Sequence, residues 1–597
     1  MPTKSDLSPG APAVSGYSQG STSSGQPDKA VNEARRGNSV GEESPLLPGV
    51  KQGGSSLNGN GKSVLETFEE LQHHFGYKLL TILFASQHLL KGFALSFISP
   101  CTQYLLASYR VSAPHMQIYT GVFMLPWAMK PIIGLLSDAA PIAGYNKAPY
   151  MRGVTILGMF AFACIGVVPQ RHLSVIGLVT CLFLIHLQFS TCDLLSEAKY
   201  AEQMQAKPEH GPALMSFVWS GRTAAALIAT IMIGPIMLHL GPKAPFILAM
   251  IPASVILVPL AKGFMEEKKK TAKDLSEVWI MLGRQKEACM LCILMFAGTV
   301  ILSVIGILFA SVRLNAVAAI VVAVVMLAAF SIVLQPEIAR VNAFFLIQTS
   351  VSISIGGASF YFYTDSPKAF PEGPHFSMEF YTSVLGICGS LFSLLGIYLY
   401  QKYSTSFGYR RLLLVSNVAL SILSLSDVVL FTRLNKRMGL PDDAFVLGAS
   451  VLASVVNQWQ WMPGVVIMSQ LCPKGMEAIM YALLAGCHNL GNTIASNSGA
   501  LVLELLGVNP SGADNETEQF EYLWVGSALS TILPLFTLGL IPWLIPDVTQ
   551  TDRILKDNPD DATANSLWRR WTGPVELSAA CLGGIIVRPH SQWYCLS

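Results

Sequence analysis

Charge is what this chain has least of. Asp, Glu, Lys and Arg together make up 13% of its 597 residues, about half of the roughly 25% that a soluble domain carries. Mean hydropathy is +0.48, and 52% of the residues are hydrophobic. That deficit excludes an ordinary soluble fold and implies a chain that lives in a lipid bilayer. The formal net charge is only +2, and no basic cluster is interleaved with aromatics, which excludes nucleic acid as a partner.

The chemistry of an enzyme is missing as well. Cys101, Cys164, Cys181, Cys192, Cys388 and Cys487, of eleven cysteines, fall inside apolar runs, where they act as small hydrophobes and imply no disulfide framework. Cys289 and Cys292 form a CxxC with no second pair at the opening of an apolar segment, which does not make a zinc site. The GKS of Gly61 to Ser63 lacks the first glycine of a phosphate loop, because Ser56 stands there. With no nucleophile–base pair and no cofactor fingerprint in the apolar segments, neither catalysis, a metal nor a cofactor is expected.

What the sequence has is length in apolar runs. Residues 1 to about 65 are rich in Ser, Gly, Pro and Asn without any such run, so a disordered tail is expected over 1–70. No signal-peptide pattern is read in it. Its EESPLL, Glu42 to Leu47, resembles an acidic dileucine sorting signal for adaptor proteins, against a chance match in a linker. Apolar segments near the roughly 20 residues of a membrane-spanning helix follow at 79–105, 114–138, 150–169, 172–194, 212–239 and 243–262. After a polar stretch from Lys262 to Glu287 come 288–311, 315–335, 341–364, 379–401, 411–432, 443–470, 475–507 and 520–546. Fourteen spans are thus expected, followed by a tail over 547–597. Lys and Arg concentrate on one side. With the N-terminus in the cytoplasm, Lys147, Arg152, Lys268 to Lys270, Lys273, Arg340, Lys402, Arg410 and Arg411 lie inside. Arg433, Lys436, Arg437 and the sequon at Asn515 then lie outside, and both termini are cytoplasmic.

A small charged island, GLLSDAAPIAGYNKAPYMR from Gly134 to Arg152, is echoed by GIYLYQKYSTSFGYRR from Gly396 to Arg411. Gly134 follows Tyr119-Thr120, and Gly396 follows Tyr381-Thr382, each glycine fifteen residues after its tyrosine. Both islands end in Gly-Tyr and basic residues. The repeat pairs the span at 379–401 with the second span. It predicts an all-α membrane fold of two six-helix bundles, 79–262 and 341–546, with a linker at 263–287 and a two-helix hairpin inserted at 288–335. Paired six-helix halves with a midplane site are how major facilitator transporters are built, and the island resembles their loop between the second and third helices. Gly134 is expected to allow close helix approach, and Asp138 to act in gating by pairing with a basic residue or a helix N-terminus. Tyr400 stands in the second copy where Asp138 stands in the first.

More specific wording lies in MLPWAMKPIIGLLSDAAPIAGY (Met124 to Tyr145), FISPCTQYL (from Phe97), DLLSEAKYAEQM (from Asp193), SFVWSGRTAA (from Ser216) and WMPGVVIMSQLCPKGMEAIMYALLAGCHNLG (from Trp461). These stretches resemble the folate-biopterin transporter family, in its protozoan form, over about residues 75 to 546. The resemblance implies uptake of folate or unconjugated pterins at the plasma membrane, coupled to protons. Some protozoan relatives carry S-adenosylmethionine instead, so the cargo stays open between the two.

Ionisable residues deep in a span cost roughly 2.5–3.5 kcal/mol each on insertion scales and are functional candidates. Lys91, Lys130 and Arg222 lie about 12–18 Å from the cytoplasmic edge by helical rise. Each either contacts an anionic substrate or pairs with a carboxylate. Asp193 and Glu197, four apart on one helical face, either couple protons, bind a pterin edge, or bridge to Lys199 and Arg222. Asn457, Gln460 and Trp461 follow at i, i+3 and i+4, with His488 and Asn489 in the next span. Amides there either read a pterin ring or join helices, and the indole stacks or packs. Trp219 and Arg222 are spaced for a cation–π pair. Lys91, Asp193, the Gln348-Thr349-Ser350 run and Gln460 fall on the four helices that line the cavity in this superfamily.

Overall fold

The computed structural model describes residues 64–572 apart from 208–209, 310, 405–406, 473–476, 551, 553 and 556–560. The motif at Glu42 to Leu47, most of the expected N-terminal tail and the last 25 residues lie outside the described residues. Among the described residues the chain is helical, with β-structure confined to two isolated bridges, Ile142 to Tyr145 and Gly408 to Thr549.

Among the described residues, twelve helices are long and apolar enough to cross a membrane. They are α1 (Phe68–Ser108), α2 (Ala113–Ala139), α3 (Ala148–Val167), α4 (Val175–Met204), α5 (Ala213–Leu240) and α6 (Ala244–Ala261). A short helix, α7 (Ala272–Arg284), precedes α8 (Lys286–Leu308), α9 (Val312–Val333), α10 (Pro336–Thr364), α11 (Phe380–Tyr403) and α12 (Tyr409–Phe431). After α13 (Asp442–Gln470) and α14 (Glu477–Leu505) comes the twelfth, α15 (Thr517–Leu538). The sequence predicted spans where α13 and α14 lie. Both are helices of 29 residues, about 43 Å at helical rise. Asn457, Gln458 and Gln460 in one, and His488, Asn489, Asn492 and Asn497 in the other, set them apart from the twelve in apolarity.

Two close approaches set the frame. In α1 a Cβ added at Gly92 would stand 2.7 Å from the Arg222 carbonyl oxygen, and one at Gly221 would stand 2.1 Å from His88 Cε1. Gly92 thus lets the α1 backbone rest on that of α5, and Gly221 leaves room on α5 for the His88 ring, as small residues allow. The repeated islands behave alike in direction but not in tightness. Gly134 faces Leu194 of α4 at 3.6 Å, an ordinary contact, whereas a Cβ on Gly396 would meet the Val455 oxygen of α13 at 2.7 Å. Close approach, expected at Gly134, is demanded instead at its repeat. Tyr400 hydrogen-bonds Gln550, and the Gln550 amide donates to the Ser404 oxygen at 2.9 Å. Arg410, at the end of the second island, donates to the Ile545 oxygen at 2.8 Å and the Pro542 oxygen at 2.9 Å, so that island is fastened by uncharged groups at Tyr400 and Ser404 and by a guanidinium at its end.

One face is sewn shut. The Arg110 guanidinium donates to the Gly512 oxygen, Ala113 N–H to the Pro510 oxygen at 2.9 Å, and the Tyr361 hydroxyl to the Val111 oxygen at 2.5 Å. Deeper in, the Gln117 amide donates to the Ser354 oxygen. Ser383 of α11 accepts from Gly234 N–H at 3.0 Å and donates to the Thr230 oxygen of α5 at 2.7 Å. Trp219 is eleven residues, or three turns, before Thr230 and so points from the same side of α5. It is 53% exposed. The side of α5 that packs on α11 near the sewn face therefore opens into space toward the other face.

Asp365 ends α10 in this seam. It is 8% exposed, with Oδ2 buried and unpartnered and its backbone oxygen 2.7 Å from His375 Nδ1. Burial, then the Glu516 carboxylate, push its pKa up to about 7 against the pull of Arg110. A carboxyl raised in the joined state favours joining while it is protonated, and that contribution is lost as pH rises through about 7. Hydrogen exchange over 509–516, corrected for intrinsic rate, is expected to be faster at pH 8 than at pH 6. Asp365→Asn should flatten the difference, and a flat wild-type profile would contradict the assignment.

Candidate functional site

Four ionised groups from three helices meet inside the α1–α6 set. Phe84–Ala94 of α1 is π-helical, a widened turn often found at functional sites, and it carries Gln87 and Lys91. Lys91 Nζ lies 2.5 Å from Asp193 Oδ1 and 3.3 Å from Glu197 Oε1. Lys130 Nζ lies 2.7 Å from Asp193 Oδ2 and 3.6 Å from Glu197 Oε2. Each carboxylate oxygen of Asp193 thus has its own ammonium. Gln87 adds an amide donor, 3.0 Å to Asp193 Oδ1 and 2.7 Å to Ser196 Oγ. The Asp193 side chain is fully buried, those of Lys91 and Lys130 nearly so, while that of Glu197 is 34% exposed. Two cations and two carboxylates cancel, and that balance makes the burial tolerable.

The quartet has an aromatic rim. Lys130 Nζ sits 5.1 Å from the Trp127 ring centroid, and Trp127 Nε1 donates to His186 Nδ1 at 3.1 Å. The Asn489 amide, from α14, donates to the Trp127 backbone oxygen at 3.3 Å, joining the two helix sets at the site. Tyr481 of α14 lies within electrostatic reach of Glu197 and Lys130.

Arg222 stands apart from this balance. Its guanidinium lies 5.0 Å over the Trp219 ring, the cation–π pair that the spacing predicted. Among the described residues it makes no ion pair, and Asp193 and Glu197 pair with Lys91 and Lys130 instead of Lys199 and Arg222. Across the gap, Gln460 donates to Asn417 Oδ1 at 2.6 Å, and Gln348 donates to the same atom. Gln460 is therefore occupied in joining α10, α12 and α13. Trp461 is 46% exposed, with its ring 5.3 Å from that of His488, whose Nδ1 is 3.2 Å from Thr349 Oγ1. Asn457 is exposed.

Asp138 is not part of this group. It lines a separate hollow of about 380 Å³ at the end of α2, with Asn146, Lys147, Lys199, Glu202 and Glu267. Lys147 pairs with Glu202. The carboxylate at the start of α3 is that of Glu267, which accepts from Lys147 N–H at 2.7 Å and Ala148 N–H at 3.1 Å, not that of Asp138. Sequence reading passed over Gln87, Trp127, His186, Ser196 and Tyr481. Gln87 lies four residues before Lys91 and Ser196 three after Asp193, so helical spacing from the charged residues was the available signal. It also did not anticipate Glu70, His74 and His210, whose potential metal-ligating atoms lie within 4.8 Å of one another.

Removing one member of a buried charge pair typically costs about 3–5 kcal/mol. Asp193→Asn is therefore expected to lower thermal stability in detergent by about that amount, and Asp193→Asn combined with Lys130→Gln to recover part of it. An additive double mutant would deny that the two groups act as a pair.

Comparison with known proteins follows this geometry. In fold, the chain is like a crystallised peptide transporter, POT in complex with sulfate, at TM-score 0.56 and 13% identity, covering 81% of this chain and 99% of that one. In sequence it is 25% identical over 474 residues to "Probable folate-biopterin transporter 6" of Arabidopsis thaliana, covering 78% of this chain and 82% of the relative. The "Folate-biopterin transporter" of Synechocystis sp. is 26% identical, with 76% and 79% covered. "Folate transporter 1" of Plasmodium falciparum is 22% identical, with 74% and 75% covered. A family model described as the BT1 family matches residues 91–562, a stretch that begins at Lys91 and takes in Lys130, Asp193, Glu197 and Arg222, and the chain belongs to that family.

Proposed function

We propose that the chain is a secondary active transporter that imports folate, biopterin or related pterins across the plasma membrane, coupled to protons, by alternating access. Its cargo leaves chemically unchanged. The observation that carries this reading is Arg222, a cation with no carboxylate partner among the described residues, stacked on exposed Trp219, while the neighbouring quartet is charge-balanced and Trp461 of α13 is also exposed. Such a site has one positive charge in excess. It suits a flat aromatic ring bearing a carboxylate tail, and a folate has both. The names of the plant, cyanobacterial and protozoan relatives support the same cargo. A cationic sulfonium such as S-adenosylmethionine meets the wrong sign at Arg222.

The proposed cycle follows from competition. A substrate carboxylate reaching Lys91 or Lys130 competes with Asp193 and Glu197 for them. A proton on Glu197, the more exposed of the two acids, frees a lysine for the substrate and keeps the cluster neutral once the anion is bound. Trp461 stacks on the pterin, and Asn489 reads its edge. Gln460 holds the wall behind Trp461. The two sets, 79–262 and 341–546, rock about this site with the hairpin 288–335 outside them. Asp138 gates from the cytoplasmic side, where both termini lie.

Uptake of labelled folate, biopterin and S-adenosylmethionine into cells expressing the chain, with an inward proton gradient, tests the reading. Folate or biopterin should accumulate and an uncoupler should abolish the accumulation; accumulation of S-adenosylmethionine alone would sink the proposal. Arg222→Lys keeps charge but loses the planar fork. It should raise KM for folate about tenfold, the loss of one charge-assisted hydrogen bond. For biopterin, which has no carboxylate, KM should stay within about twofold of wild type. Equal changes for both would remove Arg222 from the tail site.

A further inference from the structure

We propose that α7 and the lysines ahead of it form a docking surface for the anionic headgroups of the bilayer leaflet against which this segment lies. The sequence reads 263–287 as a polar linker, yet the structure makes Ala272–Arg284 a helix with a capping box between Thr271 and Asp274. Leu275, Val278 and Leu282 fall on one stripe at i, i+3 and i+7, with Leu282 buried and the other two half-buried. The flanks of that stripe stay bare. Trp279 is 57% exposed, Ile280 48% and Met281 40%. The helix ends at Arg284 and the span α8 begins at Lys286, so these side chains sit within two turns of the membrane boundary. An indole at that depth is the usual interfacial anchor.

Charge selects the kind of lipid. Three acidic groups of the segment are engaged within the protein, and a fourth, Glu277 on α7, is exposed beside four exposed lysines. Glu266 pairs with Lys78 at 2.6 Å, Glu267 holds the start of α3, and Asp274 closes the capping box. Lys268, Lys269, Lys270 and Lys273 are exposed, and among the described residues none of them makes an ion pair of the kind that Lys78 makes. A run of ammonium groups beside an apolar helix flank fits a leaflet that is both greasy and negative. The inference does not depend on the cargo.

The full chain, reconstituted in phosphatidylcholine vesicles with or without phosphatidylserine, provides the test. Bromine on the acyl chain near the headgroup quenches nearby tryptophan, and subtracting the signal of Trp279→Phe from wild type isolates Trp279. Brominated phosphatidylserine is expected to quench Trp279 at least about twofold more than brominated phosphatidylcholine at low salt, as headgroup attraction predicts. That preference should vanish with Lys268→Gln, Lys269→Gln, Lys270→Gln and Lys273→Gln combined, and fade at high salt. The combined variant should still unfold at the wild-type temperature, since these lysines hold no structural pair. Equal quenching by both lipids would overturn the selectivity, and no quenching by either would show that water or another protein covers the helix.

Discussion

Everything near the middle of this protein depends on one buried carboxylate holding two ammonium groups. Asp193 on α4 receives Lys91 from α1 at one oxygen and Lys130 from α2 at the other. A bilayer offers no water to solvate any of them, so each is tolerable only because the others are there. The three helices are consequently pinned in one register at the site. Glu197, about one turn along α4 and more exposed, shares both lysines without being locked to either. On the proposed function, that asymmetry between a fixed acid and a loose one is the basis for giving the proton to the loose one.

How much of this was legible depended on cost. Lys91, Lys130, Asp193 and Glu197 announce themselves in sequence, because an ionised side chain in an apolar run is too expensive to be accidental. Pairing with a carboxylate was one of two open readings for the lysines, while the bridging partners expected for the acids were Lys199 and Arg222; the packing of α1, α2 and α4 brings the four together instead. Gln87, His186 and Ser196 gave no such signal, since neutral polar residues are common between packed helices and cheap to accommodate. Gln460 was open between reading a ring and joining helices, and its amide donates to Asn417 of α12. The repeat of the charged island was visible, while the tight contact at Gly396 rather than Gly134 was not, because spacing records kinship and says nothing of interatomic distance. For α7, an average over 263–287 sees mostly charge; its apolar stripe appears only when the residues are read at helical period.

The two helix sets are asymmetric in chemistry although their islands repeat. The α1–α6 side supplies ions, with Arg222 left over. The α10–α15 side supplies amides and rings: Gln348, Asn417 and Gln460 bound to one another, and Trp461 against His488. A ligand held between such walls meets charge on one side and flat polarisable surface on the other. On the proposed function this division matches the two ends of a folate, a tail that needs cations and a ring that needs stacking.

The interlock of Gly92 with Gly221 has a further meaning. Because the α1 backbone rests on the Arg222 carbonyl and the α5 backbone on His88, the free guanidinium is carried by a scaffold that also carries Lys91. The ionic wall is one stiff casting, completed during folding; on the proposed function, an arriving anion finds its cationic ligands already placed and loses little entropy in ordering them. On that reading selectivity among anions rests on fixed spacing, as in a ruler, and the side that yields to each guest is the aromatic one.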